Sequence, residues 1–211
     1  MRRFRCLLGG LLLGMVLLTG SCKDSEPDAP GLIGGWTTAG CEFARTPETM
    51  DVAGKQLPVT PALLSAAIAR IDAGGRADFA ASYAGVEVDQ ERVRAIVYRI
   101  PSAAFDTFIR RAAEDTCVFV RDAQHSLSEL AGWSAHLTAD LDTWKNRGVR
   151  ISTISARHDG VGVEVGTQDI DRARRELPRH YGQTAPLIFV EEGPVTPIRG
   201  PGIPTAPQPG G

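Results

Sequence analysis

VRISTISARHDGVGVEVGTQDIDRARRELPRHYGQTAPLIFV, residues 149–190, changes its hydrophobic period twice. Val149 to Ala156 and Val161 to Val165 have strand character, and His158-Asp159-Gly160 between them supplies residues that tolerate the positive φ of a tight hairpin. From about Gln168 to Tyr181 the apolar spacing lengthens to three and four, placing Ile170, Ala173 and Leu177 on one side of a helix. Pro186 to Val190 is a strand again. The pattern is ββαβ, and the unit spans residues 149–192.

The same order precedes it. Phe79 to Val88 and Val93 to Ile100 read as strands around an Asp89-Gln90-Glu91 turn, and Pro101 stops the second. Ser102 caps a helix carrying Phe105, Phe108, Ile109 and Ala112 on one face, after which Thr116 to Val120 is a strand. This first unit covers 79–125. Between the two, residues 126–148 predict one long amphipathic helix: Ser126 and Glu129 form a capping box, Leu127, Leu130, Trp133, Leu137, Leu141 and Trp144 line one face, and Gly148 ends it. Residues 36–78 form an N-terminal helical segment, with Thr60 as N-cap, Pro61 at the first helical position and a stripe of Leu63, Leu64, Ala67, Ile68 and Ile71 up to Gly74-Gly75. The expected fold class is α+β: two ββαβ units, small antiparallel sheets with packed helices, joined by a long helix. Residue identities of the units match poorly, so the repeat is one of topology.

The first 21 residues read as a secretory signal peptide. Arg2, Arg3 and Arg5 give a positive start, and Leu7 to Leu18 is apolar and uncharged, shorter than the roughly 20 residues a spanning helix needs. Leu18-Thr19-Gly20-Ser21-Cys22 resembles the lipobox of bacterial lipoprotein precursors, with small residues before a cysteine whose thiol can carry diacylglycerol. This implies cleavage before Cys22, lipidation there, and anchoring to the cell membrane on the extracytoplasmic side. The plainer alternative is a signal peptide cut nearby that leaves Cys22 free. Residues 22–35 then form a tether, and the Pro- and Gly-rich stretch 193–211 is expected to be a disordered tail.

Composition narrows the function. The chain has 23 basic and 25 acidic residues; loss of three Arg with the signal leaves 20 against 25. That mild acidity speaks against a nucleic-acid partner and against a polybasic membrane contact. Cys6 leaves with the signal and Cys22 is committed to lipid, so Cys41 and Cys117 remain as the pair for an internal disulfide in an oxidising compartment. The alternative is two buried thiols packed as small hydrophobes. His125, His136, His158 and His180 are scattered without ligand spacing, so no metal is expected, and no phosphate loop or other cofactor motif is found.

A strand ending Val118-Phe119-Val120, the helix start Ser126-Leu127-Ser128-Glu129-Leu130, and the last strand with its acids, Phe189-Val190-Glu191-Glu192, resemble in their order the pro-regions of secreted bacterial chymotrypsin-like proteases of the streptogrisin and alpha-lytic group. The resemblance covers roughly residues 79–195. It implies a folding helper and tight inhibitor of a protease. Leu187, Ile188, Phe189 and Val190 would be the strand that pairs with the partner, and Glu191 and Glu192 would lead a segment into its cleft. The sequence departs from that family in carrying no Gly-Asp-Ser-Gly-Gly nucleophile loop and no Ala-His-Cys site. The module is therefore expected to act on a separate protease or to serve as a structural or sensor lipoprotein.

Enzyme chemistry has little to build on. His158-Asp159 with Ser152 or Ser155 is the best local group, but no oxyanion-hole motif accompanies it, and turn polarity explains it better. Glu191 and Glu192 alternate across a strand end and point apart. Trp133 and Trp144 fall on the apolar stripe and are expected in the core, while Trp36 is a candidate surface residue. A non-catalytic protein that binds another protein is the reading that results.

Overall fold

A computed structural model of the chain describes residues 34–43 and 45–193. The signal peptide, Cys22, the tether up to residue 33 and the tail from residue 194 lie outside the described residues. In chain order the elements are β1 (Gly35–Thr37), a 3₁₀ turn (Ala39–Glu42), β2 (Glu48–Val52), β3 (Lys55–Val59), α1 (Ala62–Asp78), β4 (Tyr83–Asp89), β5 (Arg94–Arg99), α2 (Ala103–Ala113), β6 (Val118–Asp122), α3 (Leu127–Ala139), α4 (Leu141–Asn146), β7 (Ile151–Ala156), β8 (Val163–Thr167), α5 (Ile170–Tyr181) and β9 (Leu187–Glu191). The fold is α+β, and both ββαβ units are present. In each, the hairpin is antiparallel, β4 with β5 and β7 with β8, and the strand after the helix joins the central strand in parallel, β6 on β5 and β9 on β8. A helical crossover permits that parallel return where a two-residue hairpin could not.

Each sheet buries one face under its helices. Val97, Val118, Val120, Tyr83, Phe105, Ile109 and Ile71 make the first core; Leu130, Leu137, Trp144, Val163, Val165, Ala173 and Leu177 make the second. Ser102 caps α2 by accepting from Phe105 N–H at 3.3 Å. Ser126 likewise accepts from Glu129 N–H at 3.2 Å. The return half of that capping box is absent, because the Glu129 carboxylate meets His125 Nδ1 at 2.9 Å instead.

Several features differ from the sequence reading. The joining helix breaks at Asp140, which leaves helical geometry at φ −96°, ψ 5° and whose carboxylate accepts from Tyr181 Oη at 2.7 Å, so that the break coincides with a tertiary bond. Helix α1 runs through Gly74-Gly75 to Asp78, since those glycines serve close packing: a Cβ at Gly75 would lie 2.6 Å from the Tyr83 ring. Leu63 of the predicted stripe is 67 % exposed. Phe79 precedes the strand and stacks on Phe105, ring centroids 5.0 Å apart, while β4 starts at Tyr83. The N-terminal segment is also not helical throughout: β2 and β3 form a two-stranded ribbon whose turn takes Ala53 and Gly54 at positive φ, with Met50 and Leu57 opposite one another and exposed.

β1 straddles the expected end of the tether at Gly35 and the start of the N-terminal segment at Trp36, where the sequence reading has no strand. It lies along β6, antiparallel, with Trp36 opposite Val120, giving the first sheet the order β1-β6-β5-β4. The second sheet is β7-β8-β9. The two units meet where the β7–β8 turn seats on the first: His125 N–H donates to Gly160 C=O at 3.0 Å. Gly160 takes φ +68°, and a Cβ there would come within 2.6 Å of the His125 carbonyl oxygen. Glycine is the residue that satisfies both the turn and the contact.

Candidate partner-binding edge

The residues singled out at the end of the chain, Leu187, Ile188, Phe189 and Val190, all fall in β9. Strand alternation gives them two roles. Leu187 and Phe189 pack on the second core, so Ile188 and Val190 stand on the opposite, helix-free face, half-buried. Glu191 is exposed. Glu192 lies just past the strand, its N–H donating to Thr167 C=O at 3.1 Å and its carboxylate accepting from Thr153 Oγ1 at 2.5 Å. The two acids therefore point apart, and the folded part extends through Glu192.

Hydrogen-bond phase shows which backbone groups remain. Val163 N–H donates to Pro186 C=O, and Glu192 N–H to Thr167 C=O. With Val163 to Thr167 in register with Leu187 to Glu191, the amides of Ile188, Val190 and Glu192 face β8, and those of Phe189 and Glu191 face outward. Among the described residues no strand pairs with that outer edge. The corresponding edge of β6 is covered by β1. An uncovered edge of alternating N–H and C=O groups is a template for another strand.

Cys41 and Cys117 form the disulfide, with Cα atoms 4.2 Å apart. It fastens the 3₁₀ turn after β1 to the start of β6. Thr38 reinforces it: its Oγ1 donates to Thr116 C=O at 2.7 Å and accepts from Val118 N–H at 2.9 Å. Trp36 sits half-buried against the first core with the Arg110 guanidinium 4.1 Å over its ring. Its Nε1 is the one buried side-chain polar atom without a partner among the described residues. Trp144 is fully buried, and Trp133 is half-buried against the second core.

The His158-Asp159 group does not assemble as a catalytic dyad. Asp159 is held by Arg157 at 2.5 Å and by Val161 N–H at 3.1 Å. Burial works against its charge, but those hydrogen bonds outweigh it and keep the carboxyl below the usual range. His158 faces the other unit, with Nε2 3.6 Å from Glu87 and its ring edge-on to Tyr98. Tyr98 donates to Glu87 at 2.9 Å; burial, then that carboxylate, push its phenol well above the ordinary value. Ser152 and Ser155 are exposed on β7, and among the described residues no hydrogen bond links either to His158. The group is a contact between units, which sequence reasoning missed because Glu87 and Tyr98 lie some 60 to 70 residues upstream.

Comparison of the chain with protein families, with characterised proteins and with solved structures finds no match. Among the described residues no helix is long and apolar enough to cross a membrane.

Proposed function

We propose that the protein is a non-catalytic bacterial lipoprotein, anchored through Cys22 to the extracytoplasmic side of the cell membrane, that binds another protein by accepting a strand on the outer edge of β9. The partner class is a secreted chymotrypsin-like serine protease, which it inhibits or helps to fold. The observation that carries the binding reading is the β9 edge, which no strand of the described residues covers, beside a β6 edge that the chain covers for itself. Strand addition draws affinity from main-chain hydrogen bonds and specificity from alternate side chains, which suits a site holding no assembled catalytic group.

Anchoring is tested in cells. A fatty-acid analogue should label the protein, and Cys22→Ala should abolish the label and move the protein to the soluble fraction; a variant that still labels rules out Cys22 as the acceptor.

Binding is tested by incubating the mature chain with a panel of secreted chymotrypsin-like proteases. Loss of activity of one of them is expected, and Glu191→Pro should relieve it at least tenfold, because proline removes an outward donor while leaving the β8–β9 ladder intact. Truncation after Gly193 should preserve folding. If no protease is inhibited, a structural or sensor role replaces the protease reading.

A further inference from the structure

The first unit contains a worked example of how the β9 edge is filled. The residue shift that carries Val97 of β5 onto Val165 of β8 also carries Phe105 onto Ala173 and Ile109 onto Leu177, the buried residues of α2 and α5. One further residue of shift carries Val118 and Val120 onto Leu187 and Phe189, which hold the same register against their central strands. Hydrogen-bond phase agrees: Ala123 N–H donates to Arg99 C=O as Glu192 N–H donates to Thr167 C=O. Val120 and Phe189 thus occupy one place, each with its side chain in the core and its amide turned to the outer edge.

On β6 that edge is met by Trp36, directly opposite Val120. The indole covers the end of the core beside α2, under Arg110. At the place of Arg110, α5 carries Pro178, half-buried and uncharged. β9 itself is more exposed than β6: Leu187 and Phe189 are half-buried where Val118 and Val120 are fully buried. Among the described residues the second core is therefore open on the side where the first is closed by an aromatic ring.

Taking β9 as the partner-binding edge, we infer that its ligand is an extended segment running antiparallel to β9 with an aromatic residue opposite Phe189, its ring packed on Pro178. The segment does for the second unit what Gly35-Trp36-Thr37 does for the first. Selectivity lies in that one ring, since the remaining contacts are main-chain bonds that any extended chain can make.

The probe is a phage-displayed library of random 12-residue peptides, selected on the immobilised mature chain. Enriched peptides should share an aromatic residue within a run of β-forming residues, and should be lost when selection is repeated on Glu191→Pro. Replacing the aromatic by Ala in the best peptide should weaken binding about tenfold or more, the consequence of losing the apolar area that the packed ring buries. Pro178→Asp should weaken the aromatic peptide and leave its Ala version unchanged, a coupling that a merely structural change would not produce. Hydrogen exchange gives a readout free of substitutions: bound peptide should protect the amides of Phe189 and Glu191.

Enrichment without an aromatic, or no protection at those two amides, overturns the inference. So does concentration-dependent dimerisation protecting the same amides, which would make a second copy the occupant. Failure of the protease panel with success here would leave strand recognition standing and remove only the protease. Inhibition without aromatic selection would do the reverse.

Discussion

Trp144→Ala is expected to lower the stability of the second unit by about 4 kcal/mol, in the range found for deleting a fully buried aromatic. The indole has no exposed surface, and its Nε1 donates to Tyr181 Oη at 2.8 Å. Tyr181 in turn donates to Asp140, where α3 gives way to α4. Burial raises the Tyr181 phenol to about 12, and the Asp140 carboxylate adds to the rise against the indole donor, so the phenol remains a donor across the neutral range. The alanine variant loses packing, the donor to Tyr181 and the support of the helix break together. Urea unfolding followed by far-UV circular dichroism measures the loss. Trp144→Phe should cost about half as much, because it retains most of the ring and forfeits the hydrogen bond. A loss below about 1 kcal/mol for the alanine variant would mean that α4 is not part of the core.

Residues with strong periodicity were legible in advance, because their neighbours along the chain are also the neighbours that determine their structure. The two hairpins, α2 and α5, the Ser102 and Ser126 caps and the Gly160 turn all belong to this class. The Cys41–Cys117 pair was legible for another reason, as the thiols left once export chemistry had claimed the others. What escaped depends on distant partners. Gly35-Trp36-Thr37 is too short to show a period, and it is a strand because β6 offers it an edge. Gly74-Gly75 reads as a helix stop until Phe108 and Tyr83 are seen lying against it. Ser126 to Gly148 carries an unbroken apolar stripe, and nothing local announces that Asp140 will accept a bond from Tyr181. The Ala53-Gly54 turn, by contrast, is marked locally, by a glycine between two runs in which apolar and polar residues alternate. For the candidate site, the strand itself was legible, but its uncovered edge was not. That edge acquires meaning from the comparison of β9 with β6, which requires both sheets.

Replacing Cys41 and Cys117 together by Ser is expected to cost about 4 kcal/mol in the chain-entropy account of a long closed loop, the bridged residues being 76 apart. Beyond that global loss, part of the effect should be local to β1. Ala95 N–H donates to Cys117 C=O and Ala123 N–H to Arg99 C=O, so the amides of Phe119 and Arg121 face β5 while that of Val120 faces β1. Without the disulfide, β1 is held by three residue pairs and by Thr38, and a strand that short can separate from the sheet below the energy of global unfolding. Hydrogen exchange of the double variant should therefore show a larger loss of protection at Val120 than at Arg121 or across β7 to β9, where only the global loss is felt. The freed β6 edge would then resemble that of β9, with the ring of Trp36 withdrawn from the core. Equal loss of protection at Val120 and Arg121 would show that the bridge supports the whole first sheet. Unchanged protection at Val120 would show that Thr38 and the strand pairs suffice to hold β1.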